Sequence, residues 1–354
     1  MENKTRIAGI QQIGIGVENV QEAFTWYRKN LNIDIPIFEE AAEANLMLPY
    51  TGGLPHQRHA ILAINIQGGG GFEIWQYTSR KPQKSAQNIQ LGDLGIFAAT
   101  LKSRNPVQHQ ADLQKRLGSQ VSALHKNPKG ADLFYVQDPA GNFFQFKQGL
   151  DWFTENGQPN GGCAGAIIGV SNAIQSKQFY NKILGYDKVI YEGEGTFADL
   201  AHLPGGNGRF RRILLGHSQG RTGPFNELLG PSEIELIQSL DRQPQKIFKD
   251  RFWGDLGFIH LCFDINGMKA MKANCEKHGY PFTVESNPDF DMGEAAGQFS
   301  YIEDPDGTLI EFVETHKVPV LKKLGLYLNL RKRDPEKALP KFMLKLLSLN
   351  RVKG

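Results

Sequence analysis

Residues 304–316 read DPDGTLIEFVETH, and residues 138–149 read DPAGNFFQFKQG. Each stretch opens on Asp-Pro-x-Gly, a turn signal in which proline presets one backbone angle and glycine accepts a left-handed one. Each then runs into an apolar segment of strand composition. At the matching position one copy carries Glu311 and the other carries Gln145. The turn and the strand are kept twice, and the carboxylate once. Repetition on this scale decides an architecture before any single residue does.

The repeat extends outward from the two turns. DLGIFAATL (93–101) matches DLGFIHLCF (255–263), and each leads into a helical pattern, QHQADLQKRLGS (108–119) and MKAMKANCEKHGY (268–280). A variable stretch follows, then an aromatic-rich strand, ADLFYVQ or GQFSYIE, and then the turn. A second pair lies upstream, where QIGIGVENVQEAFTWYRKNLNID (12–34) matches GAIIGVSNAIQSKQFYNKILGYD (165–187). Val-x-Asn in both is a helix-start signal. Phe24, Tyr27 and Leu31 then recur at helical spacing. FEIWQYT (72–78) and IELIQSL (234–240) read as closing strands. The chain therefore resolves into four units, at about 7–80, 92–150, 162–240 and 254–316, each a strand, a helix and about three more strands. TENGQPNGG (154–162) reads as a linker. The predicted division is 1–153, 162–316 and a basic extension at 317–354.

Composition bounds the function. The 354 residues are 40% apolar, with no run long enough to span a bilayer. Cys163, Cys262 and Cys275 form no CxxC pair and no disulfide framework. With no secretory pattern at the start, a reducing, cytoplasmic setting is expected. The net charge of +3 combines +9 from Lys317 onward with −6 in the body. An acidic body argues against nucleic acid as a partner. In the tail, Leu339, Phe342, Met343, Leu346 and Leu347 share one helical face, with Lys341 and Lys345 elsewhere and Pro340 in the first turn. Docking of this helix on the acidic body, as a cap on a cup or on a homodimer surface, ranks ahead of contact with an anionic membrane surface.

The organisation resembles the vicinal oxygen chelate superfamily, which includes glyoxalase I, methylmalonyl-CoA epimerase, extradiol dioxygenases and bleomycin-resistance proteins. The resemblance covers about residues 7–316 and is most specific at QIGIGVENV, HLCFDINGM and DPDGTLIEFVE. It implies an α+β fold of four βαβββ modules, paired into two cup-shaped mixed sheets.

It also implies where metal ligands would lie: a His or Gln near the start of a module's first strand, and a Glu in its last. The modules carry Gln12 and Glu73, Ala98 and Gln145, Gly165 and Glu235, and His260 and Glu311. Pairing the first module with the fourth completes a Gln12, Glu73, His260, Glu311 set, as in some glyoxalase I enzymes. Pairing the third with the fourth gives Glu235 with His260 and Glu311, beside the unhelpful Gly165. The first pairing leaves one complete cup and one without metal. A cup without metal needs no buried carboxylate, and Gln145 keeps the size of Glu without the charge. Taken singly, each residue has an ordinary explanation, such as a core histidine or a surface glutamate. Their joint occurrence favours a metal.

One nitrogen and three oxygen donors suit Zn²⁺, Ni²⁺, Fe²⁺, Mn²⁺ or Co²⁺ alike. The implied activity is a metal-dependent isomerase or lyase of glyoxalase type. It would act on a small substrate with vicinal oxygens through a metal-stabilised enediolate, with Glu311 or Glu73 as base. The alternatives are a dioxygenase of the same superfamily, or a non-catalytic small-molecule binder with Trp75, Tyr77, Phe97, Phe144 and Phe146 lining its cup. Arg209, Arg211 and Arg212 are expected as surface or substrate-anion contacts. Asp138 and Asp304 are expected to shape turns.

Overall fold

The computed structural model describes residues 4–149, 151–288, 290–292, 295–321 and 326–352. The first module comprises β1 (Arg6–Gly16), α1 (Val20–Leu31), β2 (Ile35–Glu43), β3 (Gln57–Ile64) and β4 (Gly71–Tyr77). The second comprises β5 (Gly95–Ser103), α2 (Pro106–Leu117), β6 (His125–Lys126), β7 (Asp132–Gln137) and β8 (Phe143–Gln148). The third comprises β9 (Asn160–Gly169), α3 (Ala173–Leu184), β10 (Lys188–Gly195), β11 (Phe210–Gly216), the short α4 (Asn226–Leu229) and β12 (Glu233–Ser239). The fourth comprises β13 (Gly257–Asn266), α5 (Met268–Lys277), β14 (Val284–Glu285), β15 (Phe290–Met292), β16 (Ala295–Glu303) and β17 (Leu309–Leu321). The tail adds β18 (Leu326–Asn329) and α6 (Lys341–Lys345).

Three of the helices start where the sequence places a cap. Asn19 accepts from the N–H groups of Gln21 and Glu22, Asn172 from those of Ile174 and Gln175, and Asn105 from that of Gln108. Each such cap contributes about 1 kcal/mol.

Two curled mixed sheets result, and each crosses the midpoint of the chain. One runs β14–β16–β17–β13–β1–β4–β3–β2, with β15 on β16 and β18 on β17. The other runs β10–β11–β12–β9–β5–β8–β7–β6. The first module therefore pairs with the fourth, through antiparallel β1 and β13. The second pairs with the third, through antiparallel β5 and β9. The hydrogen bonding thus cuts across the sequence division between 1–153 and 162–316.

Alternation along each strand separates two faces. Ile13, Phe72, Leu261 and Ile310 point to the helix side, as do Ala166, Leu236, Ala99 and Phe144, and all belong to one buried core shared by both sheets. The opposite faces line the two cups.

A repeated Gly-Asp-Leu-Gly fixes the pairing. Gly254–Gly257 closes on the end of β1, where a Cβ on Gly16 would lie 2.0 Å from the Asp255 carbonyl oxygen. Gly92–Gly95 closes on the end of β9 in the same way, where a Cβ on Gly169 would lie 1.9 Å from the Asp93 oxygen. Only glycine permits either approach. Asp255 is fully buried and takes Arg80 at 2.6 Å, and Asp93 takes Arg242 at 2.6 Å. Each arginine lies just after the last strand of the module that its aspartate closes upon.

The DP-x-G turns tie the other pairs of modules. Asp138 and Asp304 hold their own turns by accepting backbone N–H groups. In addition, Asp138 accepts the Tyr27 hydroxyl of the first module at 2.8 Å, and Asp304 accepts that of Tyr180 in the third at 3.2 Å. Sequence reasoning assigned these residues to turns alone.

The tail docks on the body. Leu330, Leu339, Leu344 and Leu347 are buried with Ile35, Ile64, Ile66, Phe153 and Leu228. Burial stabilises by on the order of 2 kcal/mol for each leucine. Arg351 reaches Asp34 at 3.3 Å, and Arg6 reaches Glu336 at 2.9 Å. The helix is shorter than the sequence pattern predicts, and its buried face differs. Leu344 faces inward and Phe342 is 68% exposed, because α6 is a single turn or so followed by a 3₁₀ segment, Leu346–Asn350. Residues 322–325 and 353–354 of the tail lie outside the described residues. No helix among the described residues is long and apolar enough to cross a membrane.

Candidate metal centre

Four strands of the first sheet bring four polar side chains into one cup. β1 supplies Gln12, β4 supplies Glu73, β13 supplies His260 and β17 supplies Glu311. Parallel pairing sets Gly14 beside Glu73 and Cys262 beside Glu311, and antiparallel pairing sets Gly14 opposite His260. Gly14 is required here, because a Cβ would come within 2.4 Å of the His260 ring.

His260 Nε2 lies 3.1 Å from Glu311 Oε2 and 3.4 Å from Glu73 Oε2. The Gln12 amide nitrogen lies 3.4 Å from Glu73 Oε2 and 3.5 Å from Glu311 Oε2. Candidate ligand atoms of Glu73, His260 and Glu311 all fall within 4.8 Å of one another. His260 is fully buried, and Gln12 and Glu311 nearly so. Burial alone would hold the imidazole neutral, but the charges of Glu311 and Glu73 outweigh it and raise its pKa. Burial pushes the Glu73 carboxyl up, against the opposing pull of His260 and with a further push from Glu311.

The group has the chemistry of a divalent-cation site. Buried donors normally find partners. Here Gln12 Oε1 and His260 Nδ1 are buried without a hydrogen bond among the described residues, and His260 Nε2 meets only the two carboxylates. A turn of the Gln12 amide would aim its oxygen at the same point as the two carboxylates. His260 is held by packing, with the Trp253 ring stacked above it at 6.1 Å and the Tyr301 ring edge-on at 5.5 Å. Buried Glu73, His260 and Glu311 are consistent with a divalent metal site.

A cavity of about 310 Å³ opens on this group, lined by Phe38, Met47, Arg58, Trp75, Trp253 and Tyr301 among others. Residues 44–47, after β2, form part of its wall. Of the five aromatic residues proposed from sequence as a lining, Trp75 lines it, while Tyr77 packs behind in an adjoining cluster. Phe144 and Phe146 belong to the shared core, and Phe97 to the filling of the other cup. Trp253 and Tyr301 were missed, since neither carries a ligand signal. Their repeat partners, Leu91 and Tyr135, could have flagged them.

Among the described residues the second cup carries no such set. Glu235 lies there, in β12, so the alternative grouping of Glu235 with His260 and Glu311 does not assemble. Arg212 was expected as a surface or substrate-anion contact and is instead buried at the centre of this cup, paired within the chain. Its guanidinium bonds Glu235 and both oxygens of Asp199, the latter at 2.8 Å. The neighbouring charges hold it protonated despite burial. Arg211 stays at the surface, paired with Glu194. Gln145 donates to the Tyr135 hydroxyl at 2.9 Å and accepts from Thr100 at 3.0 Å. Phe197, Leu200 and Leu203, from the segment between β10 and β11, fill the rest. The space left beside Arg212 and Glu235 is about 10 Å³, room for about one water.

Residues 163–312 match the Glyoxalase/Bleomycin resistance protein/Dioxygenase superfamily. That stretch includes His260 and Glu311, and the matching fold extends over both sheets. The match to this superfamily covers the third and fourth modules of the chain. All four modules lie in a single chain. Glyoxalase I from Zea mays shares the fold, with 12% identity and a TM-score of 0.50 over 88% of this chain and 92% of that one. A mutant of the same enzyme gives 13% and 0.53 over the same shares. A putative dioxygenase from Bacillus subtilis gives 14% and 0.55 over 87% of this chain and 86% of that one. At these identities the likeness is one of fold alone. No curated protein matches the sequence.

Proposed function

We propose that the chain is a divalent-metal enzyme of isomerase or lyase type, acting on a small substrate with two adjacent oxygens. Gln12, Glu73, His260 and Glu311 are the protein ligands, and Glu311 or Glu73 is the base. The observation that carries this reading is convergence: a buried imidazole and a buried amide, whose oxygen has no hydrogen bond among the described residues, meet two carboxylates at the floor of a cavity. Zinc, nickel, iron, manganese and cobalt all suit one nitrogen and three oxygens. A bound ion supplies Lewis-acid polarisation of a substrate carbonyl. The chain's own residues do the rest. The aromatic walls exclude water and hold the substrate. A carboxylate oxygen of Glu311 or Glu73 takes the proton beside the carbonyl and returns it to a neighbouring atom.

Metal analysis of purified protein tests the site. One divalent ion per chain is expected, with occupancy lowered in His260→Ala, Glu311→Gln and Glu73→Gln, and unchanged in Glu235→Gln. Full occupancy in the first three variants, or a loss in the last, overturns the ligand set. Incubation with α-oxo compounds in deuterated water then tests the chemistry. Isomerisation should proceed without oxygen uptake, with solvent deuterium entering only as far as the carboxyl proton exchanges before its return, whereas oxygen consumption would assign the chain to the dioxygenase reading.

A further inference from the structure

The two cups share one backbone plan, so each serves as a control for the other. Strand register aligns Glu73 with Glu235, which places Trp75 opposite Ile237 in the comparison and Ala60 opposite Arg212. The Gly-Asp-Leu-Gly repeat places Trp253 opposite Leu91. Fold and packing are therefore satisfied by Ile237 and Leu91 where there is no ligand set. Indoles occupy these places only in the cup that holds Gln12, Glu73, His260 and Glu311. Both line its cavity, and both indole N–H groups are buried without a partner.

The charge around the cavity is also informative. Arg58 is the one cation among the described residues that line it, and Glu40 engages it at 2.6 Å. Glu43 stands at the same wall. That pairing leaves no uncompensated cation among the described lining residues to receive an anionic tail.

We infer that Trp253, with Trp75, is a specificity-determining residue that selects a compact, uncharged aromatic ligand for this cup. This rests on the metal-site reading above. Trp253 arrives from the segment between the third and fourth modules. It stacks on His260 at one side and meets Trp75 edge-on at 4.8 Å at the other. A planar ring entering the cavity would have indole surface beside the bound chelating oxygens. A ring seated against such surface gains about tenfold in affinity over a methyl group.

Hydroxamates separate the two readings, because one chelating group can carry different tails. Binding to zinc-loaded full-length protein is read from quenching of tryptophan fluorescence, with and without metal. Benzohydroxamate should bind about tenfold more tightly than acetohydroxamate, and 4-carboxybenzohydroxamate more weakly than benzohydroxamate. Trp253→Leu should bring benzohydroxamate to within about twofold of acetohydroxamate, while Trp253→Phe keeps most of the preference. Equal binding of the two tails by the wild-type protein, or tighter binding of the carboxylated probe, overturns the inference whether or not the variants fold. If benzohydroxamate keeps its advantage but binds equally without metal, the aromatic selection stands and the metal reading fails.

Discussion

Arg212 and His260 occupy the centres of two related cups and show how one buried residue can set the use of a site. In the second cup the guanidinium supplies, from the chain itself, the positive charge that Glu235 and Asp199 require. Removing one partner from a buried ion pair leaves an uncompensated charge. Arg212→Leu is therefore expected to lower unfolding free energy by about 3–5 kcal/mol, read from urea midpoints, with metal content unchanged. The counterpart of Arg212 is Ala60, whose small side chain leaves the first cup open. Asp304 carries a different consequence. Burial raises its carboxyl to about 6, against the pull of the turn N–H groups and Tyr180. The folded state thus holds a proton that the unfolded chain has released above about pH 4. The stabilisation is complete below that pH and is lost as pH rises through about 6, by on the order of 2–3 kcal/mol. Asp304→Asn, which keeps the oxygen for the turn, should flatten the stability profile between pH 4 and 6.5 and be the more stable protein at pH 7.

At the level of elements, what could be read from sequence depended on repetition. The α+β cup fold was legible because the strand and helix signals appear four times and the DP-x-G turn twice, each copy checking the others. Gln12, Glu73, His260 and Glu311 were singled out because the family resemblance marks these strand positions, where the other modules hold Ala98, Gln145, Gly165 and Glu235. Arg212 was grouped with Arg209 and Arg211 because three arginines within four residues, if β11 is read without its face pattern, look like a surface. In β11 the alternation puts Ile213 and Leu215 on the helix side, which turns Arg212 into the cup. The tail helix was misread because its pattern has no second copy to test it. The segment bearing Trp253 was missed for a related reason: its role lies in the neighbouring glycine. Gly254 has φ +93°, and a Cβ there would sit 2.3 Å from the Trp75 ring. Gly254→Ala should cost about 1–3 kcal/mol and displace Trp253 from His260. The check is a shift in tryptophan emission together with a lower thermal midpoint.

At the level of the whole molecule, the four modules form a closed ring. The sheets join the first to the fourth and the second to the third, and the Tyr27–Asp138 and Tyr180–Asp304 bonds join the other neighbours. The proposed ligands divide evenly between the halves, Gln12 and Glu73 before the linker and His260 and Glu311 after it. Residues 1–153 and 154–354, expressed as two chains in one cell, should therefore copurify as a one-to-one complex carrying one divalent ion. The two chains failing to associate, or the C-terminal chain binding metal alone, would contradict this arrangement.

The pairing of β1 with β13 also has a consequence during synthesis. At about 5–20 residues per second, β13 leaves the ribosome on the order of ten to fifty seconds after β1. Through that interval β1 has one edge without its final partner, as β5 has until β9 follows it, and an open edge can recruit a strand from another molecule. Two nascent chains on one message could exchange C-terminal halves and still complete every cup, yielding an interlocked dimer with the monomer's own interfaces. Slower translation of residues 154–256 would lengthen the interval and enrich that dimer. Size-exclusion chromatography of protein made from a message with rare codons across that region would detect the enrichment.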